Sequence, residues 1–370
     1  MNKQFRLLSL LAFTGVFFIT APLPAEPQPP VRYAIMGLTH DHAAGFIPST
    51  RNRKDIQLAG IVETDPQLVA RYAKRYNLSS NLFFSSLAEL RSKTNIQAVA
   101  SFTSTFEHRR VVEECAPLGL HIMMEKPLAA NLEHARAIET AAKKSGVQVI
   151  VNYETTWYPG NQSAYAIVHD EKAIGDVRKM VVHDGHQGPK EIGCSKDFLN
   201  WLTDPVLNGG GALNDFGCYG ADLITWFMDG ARPLSVTAIT QHIKPDVYPK
   251  VEDEATIVLT YPRAQGIIQA SWNWPFSRKD LEIYGVNGYV LVPKSDLMKV
   301  RKPQTQETEM TPEQLQSPNQ DPLSYLAAVV RGEVKPTGLS SLEMNLVVVE
   351  ILDAAHESAR TGRRIDLKPK

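Results

Sequence analysis

The chain has 370 residues, 43% of them hydrophobic, and a formal net charge of −1. That length supports two domains, each with its own core. The near-neutral charge leaves no broad basic face for nucleic acid, so the expected partner is a small molecule or a second copy of the chain.

Residues 1–25 read as a targeting segment. Lys3 and Arg6 precede an apolar run over residues 7–20, and "APLPAEPQPP" then offers a cleavage point near Ala25. The run is short for a membrane span. No cysteine lies near the cleavage point and no twin-arginine pair precedes it. The segment therefore predicts a Sec-type signal and an exported protein, periplasmic or secreted, with no membrane attachment once cleaved. Three cysteines, Cys115, Cys194 and Cys218, give no disulfide framework. Cys115 fits a helical core pattern, and nothing in the spacing argues for a Cys194–Cys218 bridge.

Residues 26–152 alternate strand and helix signals. Apolar runs at 31–36, 57–62, 98–102, 121–124 and 147–151 enclose helical patterns such as 66–76 and 132–145. This alternation predicts an α/β unit, a doubly wound Rossmann domain with helices on both faces of a parallel sheet. From 153 to 370 the texture changes. Strand signals at 177–182, 234–240, 255–261, 266–272 and 281–284 are separated mostly by turns, with one helix at 212–228. They predict an α+β domain with a largely antiparallel open sheet, one face of which can pair with another subunit. Residues 302–320 are polar and predict an exposed loop, and 342–360 predict a final helix able to pack back on the first domain.

"YAIMGLTHDHAAGF" at 33–46 runs from a buried strand into a tight turn at Gly37. A dinucleotide loop would continue G-x-G-x-x-G, but Thr39 and His42 hold the later glycine positions, with His40 and Asp41 between them. His40 and His42 can donate to a pyrophosphate or a substrate, or cap the helix that follows. A metal would need a third ligand that the sequence does not reveal. Glu63 closes the second strand, where an acid accepts hydrogen bonds from an adenosine ribose.

"MMEKPLA" puts Glu125, Lys126 and Pro127 just beyond a buried strand, at the sheet edge where ligands bind. "GGGALNDFGCYGADLITWF" spaces Asp215, Tyr219 and Asp222 at i, i+4 and i+7, a polar stripe on one helix face that suits a cavity wall. A lysine near Tyr219 would lower its pKa and let it exchange a proton. In "VVHDGHQGPKE", strand alternation sets His183 opposite Asp184 and His186, and His186 can reach a cleft. Trp157 and Tyr158 follow the domain crossover, where they can stack on a sugar ring or pack the hinge.

Taken in order, these motifs resemble the glucose–fructose oxidoreductase / inositol dehydrogenase / MocA-like family of NAD(P)-dependent oxidoreductases. The resemblance rests on Gly37, Glu63 before "TDP", "TSTFEH" at 103–108 for the family's T-P-N-x-x-H, "EKP" at 125–127 and "GGGALNDFGCY" at 209–219, and it runs from residue 31 to about 367. Ser104 and Thr105 stand where the family has Pro–Asn. Motifs and resemblance together place the cofactor against Gly37, Thr39, His40, Glu63, Thr103, Glu125 and Lys126. They imply catalysis by Lys126, Asp215 and Tyr219, with Lys126 and Tyr219 handling the hydroxyl proton and Asp215 orienting the substrate. His186, Trp157 and Asp222 are candidate substrate contacts, and no metal is expected.

Glu63 favours NAD over NADP, because its carboxylate would repel a 2′-phosphate. The implied activity is redox chemistry at a hydroxyl of a sugar, glycoside or cyclitol. Two alternatives stand beside it: an NAD-dependent glycosidase working by transient oxidation and elimination, and a carbohydrate-binding protein that keeps the fold without the cofactor. A homo-oligomer formed through the C-terminal sheet is expected.

Overall fold

Residues 28–367 are described by the computed structural model, and the targeting segment expected at 1–25 lies outside them. The first domain contains β1 (Val31–Met36), α1 (Ala43–Ser49), β2 (Ile56–Val62), α2 (Pro66–Tyr76), β3 (Phe83–Phe84) and α3 (Leu87–Lys93). It continues with β4 (Ala98–Ser101), α4 (His108–Cys115), β5 (His121–Glu125), α5 (Leu132–Ser145) and β6 (Val149–Asn152). The sheet order is β3-β2-β1-β4-β5-β6 with every pairing parallel. The chain reverses direction across the sheet between β1 and β4, which opens a crevice at the carboxyl ends of those strands.

Local chemistry sets the helix limits. Asp65 accepts from Gln67 N ahead of Pro66, and Asn77 ends α2 in the left-handed region at φ 49°. Asn131 caps α5 by accepting from His134 N, and Gly146 closes it at φ 69°.

The second domain begins with α6 (Pro159–Tyr165), β7 (Val177–Gly185), α7 (Lys196–Leu202), α8 (Ala212–Asp215) and α9 (Gly217–Phe227). Six strands follow: β8 (Ser235–Gln241), β9 (Glu254–Thr260), β10 (Gln265–Ser271), β11 (Arg278–Gly285), β12 (Tyr289–Lys294) and β13 (Leu297–Arg301). The chain ends with β14 (Thr308–Met310), α10 (Pro322–Val330), α11 (Leu342–Thr361) and β15 (Ile365–Asp366). Nine strands form one sheet in the order β14-β13-β12-β11-β7-β10-β9-β8-β15. Only the β10–β7 pairing is parallel among the described residues.

Three differences from the sequence reading matter. β14 lies inside the stretch expected as loop; its three residues are all exposed, so no apolar alternation marks it. α7 carries no strong periodic signal, yet it positions the site. The helix expected at 212–228 breaks at Phe216 into α8 and α9.

α9 and α11 pack on one face of the large sheet. On the other face Val181, Val258 and Ile267 remain half-exposed. α11 also reaches the first domain, where Leu132 N donates to the Asp353 carboxylate at 2.8 Å and Ser341 forms a bridge with Ile150. All three cysteines are free thiols.

Candidate active site

Two clefts meet at the carboxyl edge of the parallel sheet. The first, of about 950 Å³, is bordered by Gly37, Thr39, Glu63, Thr103 and, from the second domain, Trp201. Gly37 sits at φ +79°, and a Cβ on it would come within 2.6 Å of Thr103 Cγ2, so a side chain here would push the turn off β4. The Glu63 carboxylate accepts from Thr64 N and Asp65 N through Oε1 and from Leu38 N through Oε2. A carboxylate has about four acceptor positions, so one remains for a ribose hydroxyl. These residues fit the adenosine end of a dinucleotide, and a second negative charge at that point would be repelled.

α7 closes over the loop. Trp201 Nε1 donates to Thr39 O at 3.2 Å, Ser195 N donates to Asp41 at 2.7 Å, and Arg71 pairs with Asp197. Asp41 is therefore turned away from a phosphate position and spent on the second domain.

The second cleft, of about 700 Å³, is lined by His42, Lys126, Glu154, His186, Asp215 and Tyr219 among others. Lys126 stands at its base, just past β5, and the Lys126–Pro127 peptide is cis. His108, from "TSTFEH", donates from Nδ1 to Pro127 O (3.1 Å) and Leu128 O (3.2 Å), which fixes that turn. Burial lowers the His108 pKa to about 4, so the ring is neutral.

The break at Phe216 has a direct consequence. Tyr219 N bonds to Phe216 O instead of continuing the helical ladder. Asp215 O is thereby freed to accept from Lys126 Nζ at 2.9 Å. Asp215 Oδ1 also accepts from Lys126, and Oδ2 accepts from Trp272 Nε1 at 2.9 Å. Burial opposes both charges. The mutual attraction outweighs it, holding Asp215 below its ordinary pKa and Lys126 above.

Tyr219 corrects an expectation. Lys126 Nζ lies over its ring face, 5.1 Å from the centroid. Lys279 Nζ lies 4.5 Å from the same centroid and pairs with Glu154. Burial, followed by Glu154, Cys218, Glu125 and Asp215, pushes the phenol well above its ordinary pKa. The phenol is therefore held in its neutral form.

The two loop histidines have different surroundings. His40 is 1% exposed and packs against Phe198 and Trp201, with centroids at 4.7 and 5.3 Å. Its Nδ1 accepts from His42 N at 3.2 Å, and burial, His42, Lys126 and His108 push its pKa well below the imidazole range. It lines neither cleft and sits behind the loop as part of its packing.

His42 opens onto the second cleft, its side chain 49% exposed, and its Nδ1 lies 2.9 Å from Glu125 Oε2. Asn152 Nδ2 holds the other Glu125 oxygen at 2.9 Å. Burial raises the Glu125 pKa, but His42, Asn152 and Lys126 outweigh it and keep the carboxylate ionised. Glu125, 2% exposed, lines neither cleft. Its two oxygens are taken up by His42 and Asn152. His40, His42 and Glu125 bring one donor atom each within 4.8 Å of one another, but those groups are engaged with each other.

Of the candidate substrate contacts, His186 and Tyr158 lie in the cleft. The His186 Nδ1 accepts from Gly188 N at 2.9 Å. Burial lowers its pKa, so the neutral ring carries its proton on Nε2 and is a donor. His183 points to the open sheet face, where it meets Asp280 at 2.7 Å, and Asp184 is buried. Trp157 lies outside the cleft: its indole N–H is held by Asn152 at 2.9 Å and its ring meets Tyr325. Sequence reasoning missed Lys279, Glu154 and Trp272, which approach through the fold with no spacing signal.

Asp222 is fully buried, and neither of its carboxylate oxygens has a partner among the described residues. It is therefore not a substrate contact. Burial raises its pKa well above the ordinary 3.8. Above that ordinary value the folded chain must keep a proton that the unfolded chain releases, so the cost to stability grows with pH. Asp222→Asn removes this cost. The variant should match the parent near pH 4 and melt at least about 2 °C higher at pH 7, the shift that roughly 1 kcal/mol produces in a large domain. A melting difference that does not change with pH would exclude this account.

A doubly wound sheet with an acid at the tip of β2, joined to a cleft built on a buried lysine, defines a dinucleotide-dependent oxidoreductase. Residues 31–153 match the oxidoreductase family with an NAD-binding Rossmann fold, and residues 163–291 match the GFO/IDH/MocA C-terminal domain. The chain belongs to the GFO/IDH/MocA oxidoreductase family.

Among its relatives, trans-1,2-dihydrobenzene-1,2-diol dehydrogenase of Xenopus tropicalis is 26% identical over 83% of this chain and 91% of its own. The scyllo-inositol 2-dehydrogenase (NADP(+)) of Bacillus subtilis is 24% identical over 71% of this chain and 76% of its own. The crystal structure of aldose-aldose oxidoreductase from Caulobacter crescentus superimposes with a TM-score of 0.78 at 23% identity, covering 91% of this chain and all of the other.

Proposed function

We propose that this protein oxidises a hydroxyl of a sugar, glycoside or cyclitol, with NAD as hydride acceptor, in the cleft between Lys126 and His42. The observation that carries the reading is the buried Lys126–Asp215 pair facing an oriented His42 across one cavity. A binding protein needs no such pair. Relatives named for a dihydrodiol and an inositol support a substrate bearing ring hydroxyls.

The ammonium of Lys126 has three N–H donors, and Asp215 takes two of them. The third is directed to the substrate oxygen, whose developing negative charge it stabilises. Tyr219 and His186 donate to neighbouring hydroxyls. His42 donates its Nδ1 proton to ionised Glu125, which leaves the Nε2 lone pair to accept the hydroxyl proton. NAD, held along Gly37, Thr39, Glu63 and Thr103, would supply the acceptor for the hydride of the carbinol carbon. Glu63 selects NAD over NADP by charge.

We place the chain outside the cytoplasm on the sequence of residues 1–25, and we place pairing of two copies on the uncovered sheet face. Both the glycosidase and the binding-only alternatives give way if NADH accumulates with a keto product. The test is a panel of aldoses, glycosides and cyclitols incubated with NAD and read at the NADH absorbance. Stoichiometric NADH and ketone from at least one substrate is expected. Cleavage of a glycoside without net NADH would replace oxidation by the elimination reading.

A further inference from the structure

Glu154 and Lys279 both line the substrate cleft, and the chemistry proposed above uses neither. Glu154 follows β6, and Lys279 lies on β11. The two are ion-paired, and the Tyr158 hydroxyl donates to the other Glu154 oxygen at 2.7 Å. This pairing seals neither of them from a ligand. The Glu154 side chain is 54% exposed and that of Lys279 22%.

The direction of Lys279 is informative. It stands in register with Asp184 of β7, whose carboxylate is buried and has no hydrogen-bond partner among the described residues. Side chains directly opposite each other on neighbouring strands share a face. A lysine kept only to neutralise charge would pair the buried acid, where attraction is strongest. Lys279 instead carries its ammonium into the cleft, over the same Tyr219 ring that Lys126 approaches.

Both groups keep unspent hydrogen-bonding capacity. A carboxylate has about four acceptor positions, and Glu154 uses one for Tyr158 and one for Lys279. An ammonium has three donors. Glu154 takes one from Lys279 and the Tyr219 ring face at most another, so at least one donor remains.

We propose that Glu154 and Lys279 anchor a vicinal diol beyond the reacting carbon. The cleft then takes a ring bearing three or more hydroxyls in preference to a simple diol. The proposal rests on the redox reading for the position of the reacting hydroxyl, between Lys126 and His42. The ion pair holds an acceptor and a donor a hydrogen-bond length apart. That is also the spacing of the two oxygens in a gauche vicinal diol. One hydroxyl of the diol donates to Glu154, and its neighbour accepts from Lys279.

The test compares myo-inositol and methyl β-glucopyranoside with trans-cyclohexane-1,2-diol in the presence of NAD. Binding is read by calorimetric titration and turnover by NADH formation. The parent should prefer at least one polyol over the diol by about tenfold or more, in Kd and in kcat/KM. Lys279→Met and Glu154→Ala should each reduce that preference by about tenfold or more, the usual weight of a hydrogen bond to a charged group. The loss should appear in KM more than in kcat. Lys279→Arg, which keeps the charge and a donor, should restore most of the preference. A merely structural role would weaken polyol and diol alike. The anchor is overturned if neither polyol binds, or if the variants leave the preference unchanged. NADH formation with an unchanged preference would remove the anchor and leave the redox reading. Polyol binding that the variants weaken, without NADH, would keep the anchor and remove that reading.

Discussion

Replacing Lys126 by methionine should lower turnover by about 10²–10⁴-fold, the usual loss when a group that handles the reacting proton or its charge is removed. A second effect accompanies it. Lys126 and Asp215 are both about 7% exposed and bonded to each other. Removing one member of a buried ion pair leaves the other uncompensated and costs about 3–5 kcal/mol. Lys126→Met should therefore melt well below the parent. The double variant Lys126→Met/Asp215→Asn should recover most of that stability, because no buried charge remains, and none of the turnover. This contrast separates a catalytic lysine from a structural one. Recovery of turnover in the double variant would show that Lys126 serves only to neutralise Asp215.

His42→Asn should cost a similar factor, about 10²–10⁴ in kcat, with a much smaller change in NAD affinity. Glu125→Gln should give a milder version, since it leaves the base in place and removes the charge that orients it. The side chain of His42 is half-exposed, and Asn152 still holds the buried Glu125 carboxylate, so the fold should tolerate the change. A His42→Asn enzyme with near-parent kcat would transfer the base role elsewhere. His186 would not inherit it while Gly188 N holds its Nδ1.

The sequence carried the fold where periodicity is strong. Residues 33–36 and 122–124 are unbroken apolar runs within strands of a parallel sheet, and such runs leave little choice of architecture. It failed at short elements: β14 is three exposed residues, and α7 is two turns whose apolar face, Phe198, Trp201 and Leu202, is too brief to stand out. The site divides in the same way. Lys126 and Asp215 lie in motifs whose glycines and proline mark special backbone, so they stand out in one dimension.

The roles of Glu125 and His40 depend on what packs against them. Asn152 arrives from β6, and Phe198 and Trp201 arrive from a helix about 160 residues away in the chain. Neither approach leaves a trace in local spacing. The regular spacing of Asp215, Tyr219 and Asp222 held for the first two, which line the cleft, and misled only for Asp222. The helix breaks at Phe216, where Tyr219 N bonds to Phe216 O, and the stripe divides into two cleft residues and one buried acid.

The central claim is that a loop with only one of the three expected glycines still receives a nicotinamide cofactor, selected by Glu63. Calorimetric titration of NAD and NADP into the purified chain, first stripped of any bound nucleotide, tests it most directly. The account predicts one NAD per chain, bound at least about tenfold more tightly than NADP, with that preference lost in Glu63→Ala. Absence of NAD binding, or tighter binding of NADP, would contradict it.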